Sequence, residues 1–177
     1  QSVATREVGH LLGLDNSGLV SSVMSPAAVA GANHLRTLTT DDAIRISTVY
    51  PTSSFFSSKG STSGLVRNAG GSPIFGAHVV IVDATGRPVT STITDTDGFY
   101  QVFGLEPGNY SAYAEPLDQP LTPSAEPSLA RIYPGASPTT NFTTRFGAMS
   151  AASTSLTITK TAGDNQKENI GKVLPVP

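Results

Sequence analysis

Apolar positions near the start of the chain recur with helical spacing. Val3, Glu7, His10 and Leu14 share one stripe of residues 1–13, Leu11 and Leu12 widen the apolar face, and Gly13 stands where it would end the helix. Residues 14–38 are irregular and rich in Ser, Gly, Ala and Asn. A second helix is expected from Thr39, with Asp42 placed three residues on to complete a capping box. Ala43, Ile46, Val49 and Tyr50 form its apolar stripe and Pro51 stops it. Two short helices and a loop cannot enclose a core of their own, so this segment is expected to touch the rest of the chain only a little.

After a Ser-rich stretch at 52–62, read as a linker, the period changes from helical to two. Strands are predicted at 63–67, 77–83, 88–94, 99–104 and 109–115, separated by the turn sequences Gly-Gly-Ser-Pro, Thr-Gly-Arg-Pro, Asp-Thr-Asp-Gly and Glu-Pro-Gly-Asn. Residues 116–139 are proline-rich and read as a long surface loop, with further strands expected at about 140–146, 154–160 and 168–174. The pattern is that of a mainly β chain: an antiparallel sandwich over 63–174, preceded by two helices and a loop over 1–51. Val79, Ile81, Phe99 or Tyr100, Leu105 and Tyr110 are its expected core.

Composition narrows the setting. The 177 residues carry 14% charged side chains and a net charge of −2, which gives no electrostatic case for nucleic acid or an anionic membrane. No apolar run approaches the roughly 18 residues of a membrane span. Cysteine is absent, so neither a disulfide framework nor a thiolate metal site can form. This leaves the compartment open, being compatible with a secreted bacterial protein and arguing mildly against a secreted eukaryotic one. An extracellular or cell-surface place in a bacterium is the expectation. The chain opens inside a helical pattern, without a leader-like segment, and reads as beginning within a larger domain.

The chemistry-bearing run is Arg6-Glu7-Val8-Gly9-His10-Leu11-Leu12-Gly13-Leu14-Asp15-Asn16-Ser17, with Ser22-Val23-Met24-Ser25-Pro26 shortly after it. It resembles the metzincin signature, and within it the matrixin family of zinc endopeptidases: H-E-x-x-H-x-x-G-x-x-H, then a Met-turn. In that pattern two histidines one helical turn apart share a face, the glycine lets the chain turn, and a third histidine closes the zinc site. The resemblance implies that Glu7 is the general base, His10 a zinc ligand, Gly13 the turn and Met24 the Met-turn residue. The segment Leu38-Thr39-Thr40-Asp41-Asp42-Ala43-Ile44, ending in Val49-Tyr50-Pro51, is similar to the closing helix of such domains. Arg6 and Asn16, however, stand at the first and third ligand positions. An arginine stays protonated and brings a cation to the metal's place, and an amide is a poor zinc donor. The family's zinc is therefore not expected on this chain, although His34 is a further imidazole within reach of the loop.

A second resemblance lies downstream. Ser63-Gly64-Leu65-Val66-Arg67, Gly76-Ala77-His78-Val79-Val80-Ile81, Thr94-Asp95-Thr96-Asp97-Gly98-Phe99-Tyr100 and Leu105-Glu106-Pro107-Gly108-Asn109-Tyr110 keep the order and spacing of the carboxypeptidase regulatory-like domain, which they resemble, a transthyretin-like sandwich. Asp95 and Asp97 lack the further ligands of an EF-hand loop and read as a hairpin turn, while His78 is expected to face solvent.

Three readings result: a secreted zinc endopeptidase acting on proteins or peptides, a non-catalytic secreted or cell-surface module making protein or carbohydrate contacts, and an active enzyme whose sequence was misread at two codons. Both replacements of histidine need a single base change.

Overall fold

The computed structural model describes residues 2–26, 36–68, 70–117, 138–142, 144–152 and 155–159. The predicted strand at 168–174 and His34 lie outside these. Three helices come first: α1 (Ser2–Leu11), α2 (Thr40–Val49) and the single turn α3 (Phe55–Ser58). Seven strands come after them among the described residues: β1 (Gly60–Leu65), β2 (His78–Asp83), β3 (Pro88–Ile93), β4 (Phe99–Leu105), β5 (Asn109–Glu115), β6 (Arg145–Ala152) and β7 (Ser155–Thr159). All strand pairs are antiparallel, in a two-stranded sheet β1-β4 and a five-stranded sheet β3-β2-β5-β6-β7. Among the described residues no helix is long and apolar enough to cross a membrane.

Between the two sheets lies a core of Val66, Ile74, Ala77, Val79, Ile81, Tyr100, Val102, Leu105, Ala112 and Ala114, with Tyr110 and Phe142 packed against it. The side-chain period of two explains the selection: Val79 and Ile81 of β2 face inward opposite Ala114 and Ala112 of β5. At the β3–β4 turn, Asp95 Oδ1 accepts the backbone N–H groups of Asp97 and Phe99, both at 2.9 Å, so this acid is used as turn chemistry. Gly98 takes φ +74°, and a Cβ there would lie 2.4 Å from the Val66 carbonyl oxygen. Replacing Gly98 by valine is expected to cost about 2–3 kcal/mol, seen as a lower urea midpoint with an unchanged slope.

The linker reading of 52–62 needs correction. Phe55 is buried, and Phe55, Phe56 and Phe103 stack edge to face with centroids 5.1 and 5.6 Å apart. Two adjacent phenylalanines anchor the Ser-rich stretch to β4, and pairing begins already at Gly60. Gly104, at φ +81°, makes this possible: a Cβ there would lie 2.8 Å from the Phe55 ring and 3.2 Å from Ile44 of α2.

The expectation that residues 1–51 barely touch the sandwich also fails. β2 is buried on both faces. Its second face presents Val80 and Val82, which pack with Tyr113 of β5 under Leu19 from the loop after α1. That is why β2 reads as an unbroken apolar run instead of alternating. His78 lies on the same covered face and is only 5% exposed, not turned to solvent. Apolar side chains stay bare on α1, where Val3, Val8 and Leu11 are more than half exposed, and at the end of α2, where Val49 and Tyr50 are exposed.

Candidate functional site

The site is built from α1, the loop behind it and the start of α2. Helix α1 ends by bonds from Leu12, Gly13 and Leu14 N–H back to Val8, His10 and Gly9, and Gly13 reverses the chain at φ +90°. The turn brings Asn16 back to Arg6, the first and third ligand positions of the resemblance, while His10 stands one helical turn after Arg6 on α1. Ser17 N–H then bonds to the Met24 carbonyl at 2.9 Å, closing the loop under the helix. Met24 is buried against Gly9, where an added Cβ would meet its sulfur at 2.3 Å. Gly13 thus turns the chain, and Met24 lies buried beneath Gly9.

The chemistry at the centre differs from a metal site. Arg6 Nη2 donates to Asn16 Oδ1 at 2.6 Å, so the first and third positions bond directly to each other. Arg6 Nη1 also lies 3.6 Å from Glu7 Oε1, with Glu7 largely exposed. His10 Nδ1 sits 2.9 Å from the Leu14 carbonyl oxygen. A carbonyl can only accept, so Nδ1 carries the proton and Nε2 keeps its lone pair. One imidazole nitrogen, one amide oxygen already engaged and one guanidinium do not fit zinc, which takes three protein donors in catalytic sites. Among the described residues no group of three or more His, Cys, Asp or Glu side chains converges to hold a metal ion.

Beneath this centre lies a carboxylate pair whose burial the sequence did not reveal. Asp42 caps α2 as predicted: Thr39 N–H and Oγ1 donate to its Oδ2 at 2.8 and 2.7 Å, and its own N–H returns to Thr39. The same carboxylate accepts Ser22 Oγ at 2.5 Å and Val23 N–H at 3.1 Å, so one side chain ties the Met-turn to the helix start. Burial raises its pKa, but the hydrogen bonds from Ser22, Thr39 and Val23 outweigh this and hold it below its ordinary 3.8. Asp41 faces the sandwich. It accepts Ser17 Oγ at 2.6 Å on one oxygen, and Thr90 Oγ1 at 2.8 Å and Ser91 N–H at 3.3 Å on the other. Arg45 approaches Asp41 to 3.9 Å and donates to the Asn16 carbonyl at 3.2 Å. The adjacent acids at a helix start gave a signal for capping only; their burial depends on a loop 20 residues upstream and a strand 50 residues downstream.

Comparison with known proteins agrees with this layout. Residues 1–51 match the family model described as Matrixin. Residues 61–145 match that of the carboxypeptidase regulatory-like domain. Colossin-A of Dictyostelium discoideum is 40% identical over 43 residues, which is 24% of this chain and, rounded, 0% of that much longer protein. Two family models therefore match the chain in succession, Matrixin over residues 1–51 and the carboxypeptidase regulatory-like domain over residues 61–145.

Proposed function

We propose that this chain is a catalytically silent member of a secreted matrixin-type lineage, in which the helix and Met-turn of the peptidase are kept as a structural cap on an extracellular β-sandwich. The observation that carries this reading is the Arg6–Asn16 bond at 2.6 Å. It puts a fixed positive charge and an occupied acceptor where the family places two imidazoles. Glu7 then has no metal-bound water whose lowered pKa, about 7 in zinc enzymes, would let it act as a base. The buried Asp41–Thr90 contact supports the second half of the reading, since it commits a peptidase residue to holding the sandwich.

The test is stoichiometric metal analysis and peptide cleavage with the full, unmutated chain. The expected result is far less than one zinc per chain and no chelator-sensitive cleavage. One tightly bound zinc with cleavage that a chelator abolishes would overturn the proposal and return the chain to the active endopeptidases.

A further inference from the structure

The contact between peptidase loop and sandwich contains a histidine that has no part in the ligand set. His78, the first residue of β2, is 5% exposed, and its Nδ1 lies 2.9 Å from Glu115 Oε1 on the neighbouring strand β5. Its Nε2 is buried with no hydrogen-bond partner. The loop behind α1 closes over that nitrogen: a Cβ added to Gly18 would lie 2.1 Å from Nε2 and 2.6 Å from Cε1. Gly18 sits between the two anchors of the loop, Ser17 on Asp41 and Leu19 on Val80 and Val82.

We infer that His78 makes the cover over the sandwich releasable by mild acid: protonation at Nε2 drives the loop around Gly18 off the sheet. With a neutral ring, Nδ1–H donates to the Glu115 carboxylate and Nε2 is an unmet acceptor against the glycine, which costs less than an unmet charged donor there would. A proton on Nε2 creates a charged donor with no acceptor, in a position water reaches only if the loop lifts. An unmet buried donor carries its full desolvation cost. The ion pair gained with Glu115 offsets less, because Glu115 is 34% exposed and its hydrogen bond to the ring already exists in the neutral state. The unfavourable effect therefore wins.

Among the described residues the charged and titratable groups around the ring are few. From β5 it is faced by Glu115, with Tyr113 next on the same face. From β3 it pairs with Ile93, flanked by Thr92 and Thr94. From the loop it meets Gly18, and the nearest titratable side chain of that segment is Asp15. Histidine is the side chain whose charge changes between about pH 8 and 5. Asp42, held below 3.8, keeps its charge through that range and continues to hold the Met-turn end of the loop.

The experiment is hydrogen exchange of the full chain at about pH 7.5 and about pH 5, corrected for intrinsic exchange, and read over the loop around Gly18. The expected result is opening about tenfold more frequent at the lower pH. His78→Gln should abolish the response while leaving protection at neutral pH in place, which separates it from any effect of His10. Glu115→Gln should keep the response and move its midpoint to lower pH, because the charge that favours the imidazolium is gone. Loop protection that is unchanged or greater at pH 5, or a response that survives His78→Gln, would overturn the inference. A midpoint raised by Glu115→Gln would do the same.

Discussion

Asp42→Ala is expected to destabilise the chain by about 3 kcal/mol and to free residues 17–24 from α2. The carboxylate is 2% exposed and accepts hydrogen bonds from Ser22, Val23 and Thr39. Removing it strands those donors in a dry pocket, and hydrogen bonds to a charged group are worth about 1.5–3 kcal/mol each, short of full additivity. The sign of the pH dependence comes from the lowered pKa. The stabilisation is fully present above the ordinary value of 3.8 and is lost as pH falls through the lower folded-state value. Urea unfolding of the original and Asp42→Ala chains should therefore give midpoints that differ most near neutrality and converge in strong acid. Equal midpoints at neutral pH would show that the Met-turn is held by packing alone.

The second large effect is a gain. Replacing Arg6 and Asn16 together by histidine is expected to create a site for about one zinc per chain, since three imidazoles are a complete protein donor set for a catalytic zinc. The 2.6 Å Arg6–Asn16 contact shows that the side chains at these two positions meet, and with Nδ1–H held by the Leu14 carbonyl the neutral His10 ring offers Nε2 as its donor atom. Free zinc at about one hundred times the dissociation constant should then add about 2.7 kcal/mol to stability, reversed by a chelator. Each single replacement should give little, because either Asn16 or Arg6 still occupies the site. A double variant that takes up no zinc, although folded, would mean that the ancestral ligand geometry has drifted.

The parts of the fold that were legible in the sequence are those that rest on local chemistry. Thr39 and Asp42 announced a helix start, Gly13 a helix end, and the Asp95–Gly98 turn a hairpin, because capping and turn preferences act over three or four residues. The inward face of β5 came from alternation, and Val79 and Ile81 of β2 from the apolar run itself. The misreadings all lie where distant segments meet. Leu19, in a Ser- and Gly-rich loop without period, gave no hint that it seals Val80 and Val82. His78 was assigned to water by its polarity, although the unbroken apolar run after it is the mark of a strand covered on both sides. The strand placed at 140–146 lies later, at Arg145–Ala152, in a run of small residues whose register is set by pairing with β5 and β7. At the candidate site, the resemblance marked Arg6, His10 and Asn16 as ligand positions, whereas the Arg6–Asn16 bond depends on how sharply the chain turns at Gly13.

The covering of β2 on both faces has a practical consequence for anyone handling this protein in pieces. The boundary between the two family types lies near residue 60, and a gene trimmed there looks like a tidy way to obtain the sandwich. Such a product would bring Val80, Val82 and Tyr113 into water as one greasy strip in the middle of the large sheet, and would leave Thr90 without Asp41. Poor yield or clumping of the trimmed product would reflect a missing lid and not a faulty sandwich, so a usable piece must keep the loop behind α1 and the start of α2.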